Sequence, residues 1–124
     1  MSLSNPSGQR VFIVEDETLV LFNLEDILND LGCVVVGQAM RLPEAEREAA
    51  SVEMPDCAIL DVNIGGKPIF PVAEILARRG VPLIFATGYG SGGLPEEWQN
   101  HPVVVKPYTR DDVGRALEAL PASR

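Results

Sequence analysis

Several features that would indicate other functions are scarce or absent in this sequence. Its 124 residues include one histidine and two cysteines, and no CxxC or Cys/His spacing typical of a zinc site occurs. No apolar run approaches the roughly 18 residues that cross a bilayer, so we expect no membrane segment. With 10 Lys and Arg against 18 Asp and Glu, the net charge of −8 argues against nucleic acid as a direct partner. The acidity either serves solubility or gathers carboxylates around a cation.

The two cysteines and the amino-terminal residues indicate a small intracellular domain. Cys33 and Cys57 each open an apolar segment, as small core residues do in a reducing compartment. No signal peptide precedes the first strand-like segment, so we expect a cytoplasmic protein. Residues 1–8 are polar and predict a flexible tail, part of it a candidate cloning remnant. Residues 9–124 fit one domain, and we expect no output domain after the last helix.

Short apolar runs alternate with helical segments five times along the chain. The strand-like runs are residues 10–14, 33–39, 57–60, 82–86 and 103–105. Gly32 is expected to end the first helix, a third helix is predicted near residues 68–79, and Thr109 with Asp112 resembles a capping box for the last. Because residues 88–102 are rich in Gly and Pro, the fourth helix is predicted to be short or disordered. This alternation predicts right-handed βαβ units, with a parallel sheet between two helical layers.

Polar residues with distinct chemistries follow four of the predicted strands. In open α/β sheets, ligands bind at the carboxyl edge of the strands, so we expect these side chains to meet there. Packing alone does not require three carboxylates, a hydroxyl and an ammonium at one edge. The residues are Glu15, Asp16, Asp61, Thr87 and Lys106.

Each of these residue types suits one part of a phosphoryl-transfer site. Clustered carboxylates repel one another unless a cation joins them, and hard oxygen ligands with a few waters suit Mg²⁺. A carboxylate beside Mg²⁺ can attack phosphorus to give an acyl phosphate. Lys106 would pair with one phosphoryl oxygen, and the Thr87 hydroxyl would hydrogen-bond another. The pattern therefore predicts a phosphoaccepting carboxylate in a Mg²⁺ site.

Four segments that follow strands resemble, in order, the signature regions of response-regulator receiver domains. This resemblance covers roughly residues 9–120. It implies a flavodoxin-like (βα)₅ receiver fold, with a five-stranded parallel sheet in the order 2-1-3-4-5 and helices on both faces. The segments are Val14-Glu15-Asp16-Glu17, Leu60-Asp61-Val62-Asn63, Ala86-Thr87-Gly88 and Val105-Lys106-Pro107.

The resemblance also implies a role for each site residue. Asp61 would take a phosphoryl group from the phosphohistidine of a histidine kinase. Mg²⁺ (or Mn²⁺) would be held by Asp16 directly, by Glu15 mostly through water, by Asp61 and by the backbone carbonyl of Asn63. The peptide bond between Lys106 and Pro107 resembles the cis bond that aims the lysine in this family.

Two departures from the usual receiver pattern concern how phosphorylation would be sensed. Most receivers carry Tyr or Phe three residues before the lysine, where this chain has Val103. The segment from Phe85 to Gly90 instead resembles the FATGUY subgroup of single-domain receivers. That resemblance implies that Tyr89 or its loop carries the signal from Thr87, although a loop tyrosine that only covers apolar surface remains an alternative.

The sequence thus predicts a single-domain response regulator of two-component signalling, acting in a phosphorelay or as a stand-alone regulator. Its expected partners are a sensor histidine kinase or phosphotransfer protein, a downstream protein, and small-molecule phosphodonors. One alternative is a pseudo-receiver that binds proteins constitutively. A Mg²⁺-dependent phosphatase is disfavoured because Asn63 stands where such hydrolases need a general acid. We therefore expect a switch that catalyses only its own phosphorylation and slow dephosphorylation.

Overall fold

Five short apolar runs, rich in β-branched residues, form one parallel sheet. The computed structural model describes residues 7–88 and 94–120. Every residue of the strands Cys57–Asp61 and Leu83–Thr87 is buried, as expected for strands covered on both faces. In chain order the strands are β1 (Arg10–Val14), β2 (Val34–Ala39), β3 (Cys57–Asp61), β4 (Asn63–Ile64), β5 (Lys67–Pro68), β6 (Leu83–Thr87) and β7 (Val103–Val105).

The sheet has the order β2-β1-β3-β6-β7, and all neighbouring strands are parallel. Counted within this sheet alone, the order is the predicted 2-1-3-4-5, which confirms the predicted fold. The short strands β4 and β5 form a separate antiparallel hairpin, which the sequence did not predict. Gly65 and Gly66 make its turn with φ of 60° and 86°, a conformation that costs glycine little.

The helices are α1 (Thr18–Asp30), α2 (Leu42–Ser51), α3 (Phe70–Arg78) and α4 (Arg110–Glu118). The third begins two residues later than predicted, because residues 67–68 pair in the hairpin. As predicted, Thr109 caps the last helix by accepting a 3.1 Å hydrogen bond from the Asp112 amide. Residues 94–102 contain one short 3₁₀ turn, Glu96–Trp98, in place of a full fourth helix. No helix in the described part of the chain is long and apolar enough to cross a membrane.

The described end of the predicted tail is attached to the domain. The Gly8 amide donates a 2.7 Å hydrogen bond to the carbonyl of Gly32. Gly32 ends the first helix as predicted, with φ of 83°. A side chain there would also meet the Ser7 hydroxyl oxygen at 2.8 Å. Glycine is therefore favoured at this helix end by its positive φ, and a larger residue would also displace the Ser7 side chain.

Two apolar cores lie on opposite faces of the sheet, because successive strand residues point to opposite sides. In β1, Phe12 enters the core shared with α2 and α3, while Ile13 enters the core shared with α1 and α4. Cys33 and Cys57 are buried in the second core, as predicted. Burial raises the pKa of Cys33 to about 11 and that of Cys57 to about 12, so both stay protonated thiols at neutral pH.

Four aromatic rings form a cluster beside the first core, which we call the four-ring cluster: Phe70, Phe85, Trp98 and His101. Trp98 stacks on Phe70 with ring centroids 5.9 Å apart, and Phe85 meets its edge at 5.7 Å. His101 contacts Phe85 and Trp98, each at 5.6 Å. Trp98 is only 8% exposed, so it anchors the 3₁₀ turn to the core and joins it to β6 and the start of α3.

Alanine substitutions at two glycines are expected to change stability in opposite directions. A Cβ at Gly37 would lie 3.0 Å from the Phe12 ring and 3.2 Å from a Val52 methyl group. We expect Gly37→Ala to lower the free energy of unfolding by about 1–3 kcal/mol through overpacking. A Cβ at Gly114, inside α4, would make only an ordinary 3.8 Å contact with Leu31. There, Gly114→Ala should raise the free energy of unfolding by roughly 0.5–1 kcal/mol.

Urea unfolding followed by circular dichroism measures both differences. Each substitution adds the same single methyl group, so the pair separates lack of space from the general effect of glycine on chain entropy. Equal changes of the same sign in the two variants would contradict the packing described around residue 37.

Candidate functional site

The predicted polar residues meet at the carboxyl edge of the sheet. Glu15 and Asp16 directly follow β1, Asp61 ends β3, Thr87 ends β6, and Lys106 directly follows β7. Because parallel strands all end at this edge, residues far apart in sequence become neighbours there. Carboxylate oxygens of Glu15, Asp16 and Asp61 lie within 4.8 Å of one another.

Both carboxylate oxygens of Asp61 have hydrogen-bond donors. Its Oδ2 accepts a 2.8 Å charge-assisted hydrogen bond from Lys106 Nζ. Its Oδ1 accepts a 3.2 Å hydrogen bond from the Asn63 amide. The residue is only 4% exposed, so the fold holds a buried carboxylate in a fixed orientation at the edge of the sheet.

Lys106 supplies the positive charge at the centre of the acidic cluster. Besides Asp61, its ammonium lies 3.4 Å from Glu15 Oε2 and 3.8 Å from Glu17 Oε1. Burial acts to lower the pKa of Lys106, but the hydrogen bond and charge of Asp61 and the charge of Glu15 outweigh it and raise the pKa. The ammonium therefore stays charged and is shared among several acids. The peptide bond from Lys106 to Pro107 is cis.

Glu15 is the most buried acid of the cluster, with no exposed surface. Burial, followed by the charge of Asp61, raises the pKa of Glu15 to about 7, although Lys106 and the amide of Glu17 act to lower it. The three acids of the cluster together carry more negative charge than the single ammonium of Lys106 compensates. A further cation would relieve this excess.

Tyr108 is a site residue to which the sequence assigned no role. Its hydroxyl donates a 3.1 Å hydrogen bond to Glu15 Oε1, and its ring is 5% exposed in the second core. Burial, with the charges of Glu15 and Asp61, raises the pKa of Tyr108 well above its usual range. The available signal was an aromatic residue directly after Lys106-Pro107, but nothing in the sequence indicates which group its hydroxyl meets.

The β4–β5 hairpin contacts the acidic cluster through backbone amides. The Gly65 amide donates a 2.8 Å hydrogen bond to Asp16 Oδ2, and the Gly66 amide donates one of 2.8 Å to Asn63 Oδ1. One oxygen of Asp16 is thus held by the hairpin. The paired glycines therefore form a turn that also orients an acid of the site.

The remaining predicted residues concern the sensing of phosphorylation. Thr87 is 6% exposed, and its carbonyl accepts a 2.9 Å hydrogen bond from the Lys106 amide. Val103 pairs with Phe85 in the sheet and packs against the first core. Tyr89, the predicted signalling residue, lies outside the described residues. Its proposed role therefore stays a prediction.

The donors at this edge fit a hard divalent cation. Glu15, Asp16 and Asp61 offer carboxylate oxygens within 4.8 Å of one another, which is the ligand type that Mg²⁺ prefers. Burial, and after it the charge of Asp61, raises the pKa of Glu15, and a nearby cation would favour its charged form. Neither sulfur nor imidazole belongs to this group of three, so the donor set suits Mg²⁺ or Mn²⁺ better than Zn²⁺.

Comparisons with known proteins identify a family for most of the chain. The model of the response regulator receiver domain matches residues 11–118. The chain is 32% identical to the transcriptional regulatory protein PdtaR of Mycobacterium tuberculosis over 114 residues, covering 89% of this chain and 55% of PdtaR. It is 32% identical to the phyllosphere-induced regulator PhyR of Methylorubrum extorquens over 89 residues, covering 70% of this chain and 33% of PhyR. The chain spans about half the length of PdtaR and less of PhyR.

A solved structure of similar length has the same fold. The solution structure of SdrG from Sphingomonas melonis Fr1 matches with a TM-score of 0.77 and 40% sequence identity, covering 90% of this chain and 94% of SdrG. These matches define the family and do not single out the FATGUY subgroup.

Proposed function

The chain belongs to the response regulator receiver domain family of two-component signalling, and on that premise we propose that it is a phosphorylation switch with Asp61 as phosphoacceptor. We assign residues 9–124 to the receiver domain. The observation that carries the proposal is the position of Asp61, buried at the carboxyl edge and hydrogen-bonded by Lys106 at 2.8 Å. Receiver domains are signalling switches, and we infer that this chain turns over only its own acyl phosphate.

The phosphoryl transfer uses side chains that are already oriented in the resting site. A carboxylate oxygen of Asp61 attacks phosphorus and forms the new P–O bond, while the P–N bond of the donor phosphohistidine breaks and its electron pair stays on the imidazole nitrogen. Lys106 moves from the Asp61 carboxylate to a phosphoryl oxygen and compensates its charge. The Thr87 hydroxyl donates to another phosphoryl oxygen.

Glu15, Asp16, Asp61 and the carbonyl of Asn63 are proposed to hold Mg²⁺ or Mn²⁺. The metal, when bound, neutralises phosphoryl oxygens and so lowers the barrier to attack by a carboxylate. The hydrogen bond from the Gly65 amide to Asp16 Oδ2 fixes that carboxylate beside the other two acids. A carboxylate oxygen of Asp16 would serve as one of the hard oxygen ligands that such a cation prefers, beside the waters that it keeps.

Output is proposed to pass through protein contacts. The phosphoryl donor would be a sensor histidine kinase or a phosphotransfer protein, with small phosphodonors as substitutes, and a downstream protein would read the phosphorylated form. The relatives PdtaR and PhyR are named as regulators, which supports a regulatory role here. We place the response in Thr87 and the segment that follows it, including Tyr89, because Val103 cannot act as the usual aromatic switch. The acidic net charge of −8 supports protein partners over direct binding to nucleic acid.

Incubation with acetyl phosphate, followed by intact-mass measurement, tests the proposed function. We expect one added phosphoryl group in the presence of Mg²⁺ and almost none after chelation by EDTA, because the uncompensated acids would repel an incoming anion. The adduct should disappear over time after the phosphodonor is removed. As a control for folding, the circular dichroism spectra of the protein with Mg²⁺ and with EDTA should be identical.

The absence of any adduct with acetyl phosphate and with a panel of histidine kinases would contradict this proposal. That result would favour the pseudo-receiver, in which the same fold binds a partner constitutively. A phosphoryl group found at a residue other than Asp61 would also contradict it.

A further inference from the structure

We propose that Tyr108 is a positioning residue of the metal site, whose hydroxyl holds the Glu15 carboxylate toward the position of the cation. This inference rests on the proposed function for the presence of a metal at the acidic cluster. It concerns how the chain keeps Glu15 available for that metal. The observation behind it is the 3.1 Å hydrogen bond from the Tyr108 hydroxyl to Glu15 Oε1, between two buried side chains.

Besides the more distant Lys106 ammonium, each oxygen of Glu15 accepts a hydrogen bond from its own donor. The Tyr108 hydroxyl bonds Oε1, and the Glu17 amide approaches Oε2 at 3.3 Å. A carboxylate with one donor on each oxygen cannot rotate without losing a hydrogen bond in a region that excludes water. Partners of this kind orient metal ligands in many proteins and strongly affect metal affinity.

Lys106 is the group from which the Glu15 carboxylate must be kept apart. Its ammonium lies only 3.4 Å and 3.5 Å from the two Glu15 oxygens. These distances are longer than the 2.8 Å separating it from Asp61, so the Glu15 carboxylate stops short of a close ion pair with the lysine. Without the Tyr108 hydroxyl, the carboxylate could move into contact with the Lys106 ammonium. Lys106 would then compete with the metal for the Glu15 oxygens.

Tyr108 is itself fixed by rigid neighbours. Its ring is packed in the second core beside residues of α1 and α4, and α4 begins two residues later with a capped first turn, in which Thr109 accepts from the Asp112 amide. The Tyr108 hydroxyl is carried by a buried ring, and its backbone leads directly into a capped helix. It therefore has little freedom to follow a moving carboxylate. Rigid support of this kind is what positioning of a ligand requires.

The test compares Mg²⁺ affinity in two variants by isothermal titration calorimetry. Tyr108→Phe keeps the buried ring and removes only the hydroxyl, and we expect it to weaken Mg²⁺ binding about tenfold. Thr109→Ala is the matched control, because it removes the cap of α4 next to Tyr108 without touching the acids. It should lower the melting temperature and leave the Mg²⁺ dissociation constant unchanged. A merely structural role of Tyr108 would instead make both variants alike.

A second background tests whether the effect passes through Glu15. Glu15→Leu offers no acceptor for the Tyr108 hydroxyl, so adding Tyr108→Phe to it should leave Mg²⁺ affinity unchanged. An unchanged dissociation constant in Tyr108→Phe alone, or the same tenfold loss in the Glu15→Leu background, would overturn the inference. Wild-type protein that binds no Mg²⁺ would overturn both proposals. Wild-type protein that binds Mg²⁺ but forms no acyl phosphate would overturn only the phosphorylation switch, provided that the Tyr108→Phe loss is observed.

Discussion

Asp61→Asn is expected to reduce the acetyl phosphate adduct to the background of a reaction without protein nucleophile. The amide oxygen of asparagine is a far poorer nucleophile than a carboxylate, and its amide nitrogen carries no negative charge for Lys106. The loss should be complete in intact-mass measurements even at high Mg²⁺. Because asparagine has almost the same shape as aspartate, the change should affect chemistry much more than folding.

Asp56→Asn is a matched control for this experiment. It makes the same substitution just before the start of β3, at the opposite end of the strand that Asp61 closes. Asp56 Oδ2 accepts a 2.8 Å hydrogen bond from the Arg10 amide and has no contact with the acidic cluster in the described part of the chain. This variant should be phosphorylated like the wild type. An adduct that persists in Asp61→Asn and is lost in Asp56→Asn would place the phosphoacceptor at the amino edge of the sheet and contradict its assignment to Asp61.

Lys106→Gln is expected to change metal binding and phosphorylation in opposite directions. In the resting site the ammonium compensates Asp61 and Glu15, so its removal leaves more negative charge and should tighten Mg²⁺ binding about tenfold. During phosphoryl transfer the same ammonium compensates a phosphoryl oxygen, so the rate of adduct formation should fall roughly 100-fold. Calorimetry measures the first effect, and the time course of intact mass measures the second.

Lys67→Gln provides the matched control, because Lys106 and Lys67 are the two lysines of the chain. Lys67 is exposed in the β4–β5 hairpin, so its removal makes the same change in net charge without removing the central cation. It should alter both measurements little, since exposed charges are screened by solvent and salt. Parallel losses of metal binding and phosphorylation in Lys106→Gln would contradict the two roles given to this lysine.

The features of the fold that depend on local sequence patterns were predictable. Apolar runs ending in polar residues identified β1, β3 and β6, and the alternation with helices determined a parallel sheet whose carboxyl edge collects Glu15, Asp61 and Thr87. The cap at Thr109 and the helix end at Gly32 were also readable, because each depends on neighbouring residues only. Each of these signals is local, and the parallel sheet brings the residues that follow the strands together at one edge.

The features that depend on contacts between distant residues were not predictable in detail. The hydrogen bond from Tyr108 to Glu15 spans 93 positions, and the one from Gly65 to Asp16 spans 49. No local sequence pattern indicates either hydrogen bond, because each depends on where two loops come together after the sheet has formed. The β4–β5 hairpin escaped prediction for another reason: strands of two residues are too short to produce an alternating pattern.

The four-ring cluster gives the protein an intrinsic optical reporter. Trp98 is the one tryptophan of the chain, so its emission originates from a single place, against Phe85 in the strand that Thr87 ends and Phe70 at the start of α3. Burial lowers the pKa of its neighbour His101, which favours the neutral form of that ring. Rearrangement of β6, which pairs with the strand that Asp61 ends, or of the start of α3 would thus be visible in the native fluorescence spectrum, in real time and without a label.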